Sequence, residues 1–279
     1  MPELPEVETI KNGIQKAIGN CRILDLIVRQ PNLRIKVPEN LLSICHGTKI
    51  IGYGRRAKYI LIHLENRHTL VWHMGMSGKV LITDTLPNPL QKHDHIIFNT
   101  ENGFLVYNDP RRFGLLTAIQ TENLNNLPFF AKLGLEPFDK ALTPMFLFDK
   151  LKKKKIPVKA ALLDQSLVVG IGNIYASEIL FEAKVSPLKA TDKISKAECA
   201  KIIKATHCVL EKAIAAGGST LKDYEKPDGS LGYFQNQHCV YNKTGLHCPG
   251  CSCDISKTGG IKKIIIDGRS TFYCQTKQK

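Results

Sequence analysis

Residues 58–83 read KYILIHLENRHTLVWHMGMSGKVLIT. Three runs rich in β-branched and aromatic residues, 58–64, 69–74 and 79–83, alternate with short segments built from Glu, Asn, Arg, Gly and Ser. Runs of that length with that punctuation predict antiparallel strands joined by tight turns. The texture extends both ways. ILDLIV (23–28) comes before, and HIIF (95–98), FLVY (104–107) and LLTAI (115–119) come after. Breaks are expected at Gly52, Gly54, Gly75, Gly78, Pro87, Asn99, Gly103 and Pro110. From about residue 22 to 120 the chain therefore reads as an antiparallel sandwich or barrel.

The flanks are helical. Over 5–18, Val7, Ile10, Ile14 and Ala17/Ile18 fall on one stripe at helical spacing, with Glu6 and Glu8 in the first turn where the helix dipole favours acids. A polar connector spans 121–140. Beyond it, Met145, Phe146, Phe148 and Leu151 form an apolar face ending in the cations Lys152–Lys155. Helices are expected over 171–183 and 195–216, the first preceded by Gly170-Ile171-Gly172-Asn173. The segment 217–238 is rich in Gly, Ser, Asp and Asn and reads as a loop. The fold class is α+β.

The 279 residues carry 39 Lys+Arg against 25 Asp+Glu, a formal charge of +14. An excess of that size suits a polyanionic partner. No apolar run approaches the roughly 18–20 residues that a membrane helix needs. The acidic start Met1-Pro2-Glu3 is unlike a signal peptide, so a reducing cytoplasm is expected. Nine cysteines, an odd number, argue against a complete disulfide framework. Cys21, Cys45, Cys199 and Cys208 sit in apolar or helical contexts and read as small buried hydrophobes. The other five are Cys239, Cys248, Cys251, Cys253 and Cys274. Cys248-Pro249-Gly250-Cys251 can aim two thiolates at one zinc ion; a redox pair is the alternative, but no βαβ pattern surrounds it.

If Met1 is removed, Pro2 presents a secondary α-amine, a nucleophile able to form an iminium with a sugar aldehyde carbon. Glu3 beside it could relay protons. Taken alone, Pro2 and Glu3 are more often simply the start of a helix. The whole opening, Met1-Pro-Glu-Leu-Pro-Glu-Val-Glu-Thr9, resembles the formamidopyrimidine-DNA glycosylases. The resemblance continues through Gly54-Arg-Arg-Ala-Lys58-Tyr59, His73-Met-Gly-Met76-Ser-Gly78, Lys92-His-Asp-His95 and Asp109-Pro-Arg-Arg-Phe-Gly114. It runs on through Leu163-Asp-Gln165, Val169-Gly-Ile-Gly-Asn-Ile-Tyr-Ala-Ser-Glu178 and Gly268-Arg-Ser-Thr-Phe-Tyr-Cys274.

The resemblance implies a bifunctional glycosylase and abasic-site lyase of base-excision repair, acting as a monomer on damaged duplex DNA containing 8-oxoguanine or formamidopyrimidines. It implies three regions: a catalytic β-sandwich (1–130), a helix–two-turn–helix domain with a lesion loop (131–236), and a zinc-finger-like ribbon (237–279). DNA would lie between them, and a cytoplasmic, nucleoid-associated location follows. Pro2 would be the Schiff-base nucleophile, Glu3 the carboxylate assisting base release, Lys58 the β-elimination lysine, and Arg269 the ribbon arginine of the second elimination. Met76, Arg111 and Phe113 would fill the space left by the everted nucleotide. By composition alone, Met76 and Phe113 are more often core residues. His73, His93, Lys154, Lys159 and Asn173 would grip the DNA backbone, and Ser219, Thr220 and Tyr224 would belong to the loop that closes over the base. No nucleotide cofactor is implied.

One departure stands out. The family's ribbon ends in a second CxxC, whereas here Cys274-Gln-Thr is followed by Lys277, and a protonated lysine is a poor zinc ligand. Cys248, Cys251 and Cys274 remain. Cys253 or His247 could supply a fourth ligand, although the knuckle backbone makes Cys253 awkward; three thiolates with water, or a metal-free hairpin of Ile264, Ile265 and Ile266, are the alternatives. A structural zinc is expected to persist, with 257–266 as an extended hairpin. Competing functions are an endonuclease VIII-like enzyme for oxidised pyrimidines, a module that marks damage without excising it, and a zinc-dependent transcription regulator.

Overall fold

The structure, a computed structural model, describes residues 1–219 and 232–279. It separates into two compact units, Met1–Ala131 with Ile214–Gln235, and Lys132–Ala213 with Asn236–Lys279.

The first unit opens with helix α1 (Leu4–Ile18), whose first turn contains Pro5. Of the stripe the sequence predicts, Val7, Ile10, Ile14 and Ile18 are buried, with Leu4 added, while Ala17 is exposed. Val7, Ile10, Ile14 and Ile18 pack against two four-stranded antiparallel sheets. One has the order β1 (Ile23–Val28), β6 (Asp94–Thr100), β7 (Gly103–Asn108), β5 (Lys79–Thr83). The other is β2 (Ile50–Arg56), β3 (Tyr59–Leu64), β4 (His68–His73), β8 (Leu115–Gln120). A short helix α2 (Leu41–Cys45) adds Leu41 and Cys45 to the same core. Trp72 lies at its centre, fully buried and edge-on to Tyr107 at 5.2 Å. Each such side chain contributes about 1.5–3 kcal/mol by leaving water.

Strand β2 corrects the expected breaks at Gly52 and Gly54, because it runs through both and pairs with β3 on either side of an irregularity between Ile50 and Gly52. These glycines make room. A Cβ on Gly54 would come within 3.3 Å of His63 Nε2, so the missing side chain accommodates the neighbouring imidazole instead of ending the strand.

The second unit holds α3 (Pro144–Leu151), α4 (Val158–Leu163), α5 (Asn173–Glu182) and most of α6 (Lys196–Ala215). Thr143 caps α3 by accepting from Phe146 N. Helix α4, only six residues long, is too short to show a periodic stripe in sequence. Helix α5 buries Tyr175, Ala176, Ile179, Leu180 and Phe181, as a central helix does. The ribbon comprises α7 (Ile255–Thr258), β9 (Lys262–Ile266) and β10 (Arg269–Tyr273). The extended hairpin expected over 257–266 is thus partly a single helical turn. Asp254 caps it by accepting from Ser256 N, and Gly259, at φ 69°, ends it. The ribbon shares its unit with the helices because Phe181 of α5 packs into the cluster of Val240, Cys248, Cys253, Ile261, Phe272 and Cys274. The chain also returns to the first unit over 214–235, a segment the sequence reading grouped with the helices.

Candidate functional site

Pro2 and Glu3 lead directly into α1, and both are buried. Glu3 is the N-cap and forms a reciprocal capping box with Glu6, whose Oε2 accepts from Glu3 N at 2.8 Å. The other oxygen of Glu6 accepts from Ser219 N at 2.8 Å. The first turn of α1 is thereby tied to the entrance of the 220–231 segment. Thr220 and Tyr224 lie outside the described residues.

Lys58 occupies the β2–β3 turn beside Ala57, which has φ 52°. Arg55 braces that turn: its Nη1 donates to Ala57 O at 2.8 Å, and its Nε donates to Glu8 Oε2 on α1 at 2.8 Å. Burial raises the Glu8 carboxyl, but hydrogen bonds and charge from Lys11 and Arg55 outweigh it and hold the group below its usual range. Met1, Arg34, His73, Gly75, Met76 and Phe113 line a cavity of about 280 Å³. His73 Nδ1 accepts from Gly75 N at 2.9 Å, which leaves the proton on Nε2. Burial, with Arg34 and Lys58 nearby, pushes His73 down to about 4, so it is a neutral donor at physiological pH.

Met76 and Phe113 are 40% and 47% exposed, on two loops, and the Arg111 guanidinium sits 4.8 Å above the Phe113 ring. They are not the core residues that composition favours. The loops meet backbone to backbone: a Cβ on Gly75 would stand 2.4 Å from Gly114 N, and one on Gly114 would stand 2.6 Å from His73 O. Asp109, fully buried, locks them together. Its Oδ1 accepts from Ser77 Oγ at 2.6 Å, and its Oδ2 accepts from Tyr107 OH at 3.1 Å and Gly114 N at 2.9 Å. Ser77 Oγ in turn accepts from Arg111 N at 3.2 Å. His93 is half-buried, 6.1 Å from the His95 ring, and its carbonyl accepts from Asp109 N at 3.1 Å.

In the second unit, Asn173 begins α5 after the Gly170–Gly172 loop, which Gln165 straps by accepting from Gly170 N and donating to Ile171 O. Lys159 is expected from the resemblance to grip the DNA backbone, but its side chain is not at the surface. It is fully buried, and its ammonium donates to Asn173 Oδ1 (2.6 Å), Thr271 Oγ1 (2.7 Å) and Ser270 O (3.0 Å). It acts on Asn173 and on β10 from inside. Lys154 pairs with Asp164; burial raises that carboxyl, but Lys154 and Ser166 outweigh it and hold it down to about 2. Asp267 and Gly268, at φ 52° and 70°, form the two-residue β9–β10 turn, which presents an exposed Arg269. Arg269 faces a cavity of about 470 Å³ that Leu163 and Asp164 also line.

The family model for the formamidopyrimidine-DNA glycosylase N-terminal domain matches residues 1–116, and that for the H2TH domain of the same enzymes matches residues 133–225. The chain belongs to the formamidopyrimidine-DNA glycosylase family. The enzyme of this name from Rhodospirillum rubrum is 43% identical over the whole of both chains, and that of Rickettsia africae is 44% identical over all of this chain and 99% of its own. Among solved structures, the MutM (Fpg) protein of Thermus thermophilus superposes with TM-score 0.85 at 35% identity, covering 99% of this chain and 98% of its own. A Lactococcus lactis formamidopyrimidine-DNA glycosylase, bound non-covalently to DNA containing an abasic site, gives TM-score 0.86 at 34% identity over 99% of both chains.

Within this glycosylase fold the sequence reading missed Asp109 and Ser77 as positioning residues. Asp109 stands inside a quoted motif, but nothing local says that its carboxylate reaches Ser77, 32 positions earlier. Cys253 is the other surprise. The structure brings Cys248, Cys251, Cys253 and Cys274 together with all sulfurs within 4.8 Å of one another, so the knuckle backbone does not hold Cys253 away. The Cys248–Cys253 and Cys251–Cys274 separations are 3.5 and 3.8 Å. A tetrahedral zinc with Zn–S near 2.3 Å requires sulfurs about 3.8 Å apart, so this donor set fits the metal. His247 is exposed and stands outside the group. No helix among the described residues is long and apolar enough to cross a membrane.

Proposed function

We propose that this chain removes oxidised purines, 8-oxoguanine and formamidopyrimidines, from duplex DNA and then nicks the abasic strand. The observation that carries the reading is the convergence in one unit of the Pro2–Glu3 start of α1, the Lys58 turn and the Met76/Arg111/Phe113 loops. In this reading the free amine of Pro2 attacks C1′ of the everted nucleotide and the C1′–N bond breaks, leaving an iminium once the sugar ring opens. Glu3 shuttles the protons that base release and ring opening require. The iminium draws electrons from C2′, so loss of a C2′ proton expels the 3′ phosphate; a second elimination expels the 5′ phosphate. Lys58 and Arg269 assist these departures. Met76 and Phe113 replace the lost stacking, and Arg111 bonds the widowed base. His73 offers its neutral Nε2–H to the backbone, as do His93, Lys154 and Asn173 with their own donors, while Lys159 holds Asn173 from behind. Ser219 opens the segment that covers the base. A single structural zinc ion in the cysteine cluster orders the ribbon that carries Arg269; the eliminations need no metal. The enzyme acts as a monomer in the bacterial cytoplasm, on the nucleoid.

Borohydride trapping on a duplex with one 8-oxoguanine opposite cytosine tests this. A covalent adduct is expected with a free Pro2 amine and none when that amine is blocked. Binding without an adduct in both cases would sink the lyase reading in favour of a damage-marking module. A faster reaction on oxidised pyrimidines would shift the substrate class.

A further inference from the structure

We propose that Cys253 is the fourth thiolate ligand of the ribbon's zinc site and that the ammonium of Lys277 is the outer electrostatic partner of that site. This rests on the zinc reading above. The position at which a ligand is expected has become a neighbour of the site, and a ligand has moved to the opposite strap of the ribbon.

Three observations carry it. First, the four sulfurs all lie within 4.8 Å of one another, and two pairs stand near the spacing a tetrathiolate site needs, Cys253 Sγ being 3.5 Å from Cys248 Sγ and Cys251 Sγ 3.8 Å from Cys274 Sγ. Second, the chain has a turn that brings Cys253 round: Gly250 takes φ 60°, so Cys248, Cys251 and Cys253 all face inward from one six-residue segment, and Asp254 then opens α7. Third, Lys277 is held rather than loose. Its Nζ donates to Pro249 O at 2.9 Å and sits 4.2 Å from the Phe181 ring centroid, on the backbone of the Cys248–Cys251 turn. Its main-chain N–H meanwhile donates to Cys274 Sγ at 3.4 Å.

The charges explain the pairing. Four thiolates around a dication leave two negative charges in a half-buried pocket, which is costly without a counter-charge. An ammonium has no lone pair to give a metal, but placed over the knuckle it cancels one of those charges. Lys277 therefore compensates for the site that Cys253 completes.

The test uses full-length protein reconstituted with cobalt(II). Thiolate-to-cobalt charge transfer scales with the number of sulfur ligands. Cys253→Ser should lose about a quarter of that intensity, one thiolate in four. Lys277→Met should keep the full intensity while binding the ion about ten-fold more weakly, as loss of an outer partner does. Should Cys253→Ser fail to fold, alkylation of the wild type decides: with zinc bound, Cys253 resists iodoacetamide together with Cys248, Cys251 and Cys274, and a chelator releases all four. Unchanged intensity in Cys253→Ser, or a Cys253 equally reactive with and without zinc, overturns the proposal and leaves the zinc reading standing. Absence of any cobalt band in the wild type overturns both.

Discussion

Two regions of this glycosylase hold a loop in place by different means. Around Asp109 the chain closes on itself: a carboxylate, a serine, a tyrosine and two glycines fasten the Met76 loop to the Arg111/Phe113 loop through hydrogen bonds and close backbone contact between protein groups. In the ribbon, the segment presenting Arg269 is closed by four sulfurs, whose arrangement suits an ion drawn from solution. The first device forms whenever the chain folds. The second, with zinc bound as proposed above, would tie the geometry of Arg269 to metal supply.

The contrast breaks most visibly at Asp109. Asp109→Ala strands the donors of Ser77, Tyr107 and Gly114 in a dry interior, where each unmet group costs about 1–3 kcal/mol. A loss of more than about 3 kcal/mol in thermal or urea unfolding is expected, with collapse of base excision. Stability within about 1 kcal/mol of wild type would show that the loops are held by something else. Chelation probes the other region. It should lower duplex affinity and reduce the salt slope by about one phosphate contact while the sandwich keeps its amide-exchange protection. Equal loss of protection in both units would erase the distinction.

Ser77→Ala is gentler. It removes one hydrogen bond to Asp109 and the acceptor for Arg111 N, costing about 1 kcal/mol in stability. Its signature is kinetic: kcat/KM should fall more on a paired 8-oxoguanine than on a preformed abasic site, where there is no stacked base to replace. Equal losses on both substrates would make Ser77 a structural residue only.

The smallest effect per residue comes from acid, and both units share it. His73 in the first unit and His238 in the second are each pushed down to about 4, chiefly by burial. Both are neutral when folded and titrate near 6.5 when unfolded, so their contribution is complete above pH 6.5 and is lost as pH falls towards 4. At pH 6 the loss is about 0.8 kcal/mol for each histidine, read as a fall in Tm between pH 7.5 and 6. A His238→Gln variant should remove about half of it; an unchanged pH profile would clear His238.

Much of this was readable beforehand, for physical reasons. Strands such as Tyr59–Leu64 announce themselves because alternation and β-branching act within a few residues, and the α1 stripe does so through its period. Pro2 and Glu3 allow a helix start or a catalytic start, and the Glu3–Glu6 capping box shows the first. What stayed hidden depends on partners far away in sequence. Gly54 breaks a strand unless His63 is known to need the space. Lys159 reads as a cation that grips DNA until Asn173, Ser270 and Thr271 are seen to bind it from inside. Cys253 is awkward on a knuckle until Gly250 turns the chain.

The discontinuity of the first unit has a consequence for heredity. The chain leaves that unit after Ala131, returns at Ile214 and leaves again after Gln235, and on its return Ser219 bonds back to Glu6. A single recombination event between two relatives, anywhere from 132 to 213, would join the helix start of one lineage to the returning segment of another. The Glu6–Ser219 bond would then have to be made between residues with different histories. The two units are thus inherited best together, and chimeras built from one crossover within 132–213 should survive less often than either parent.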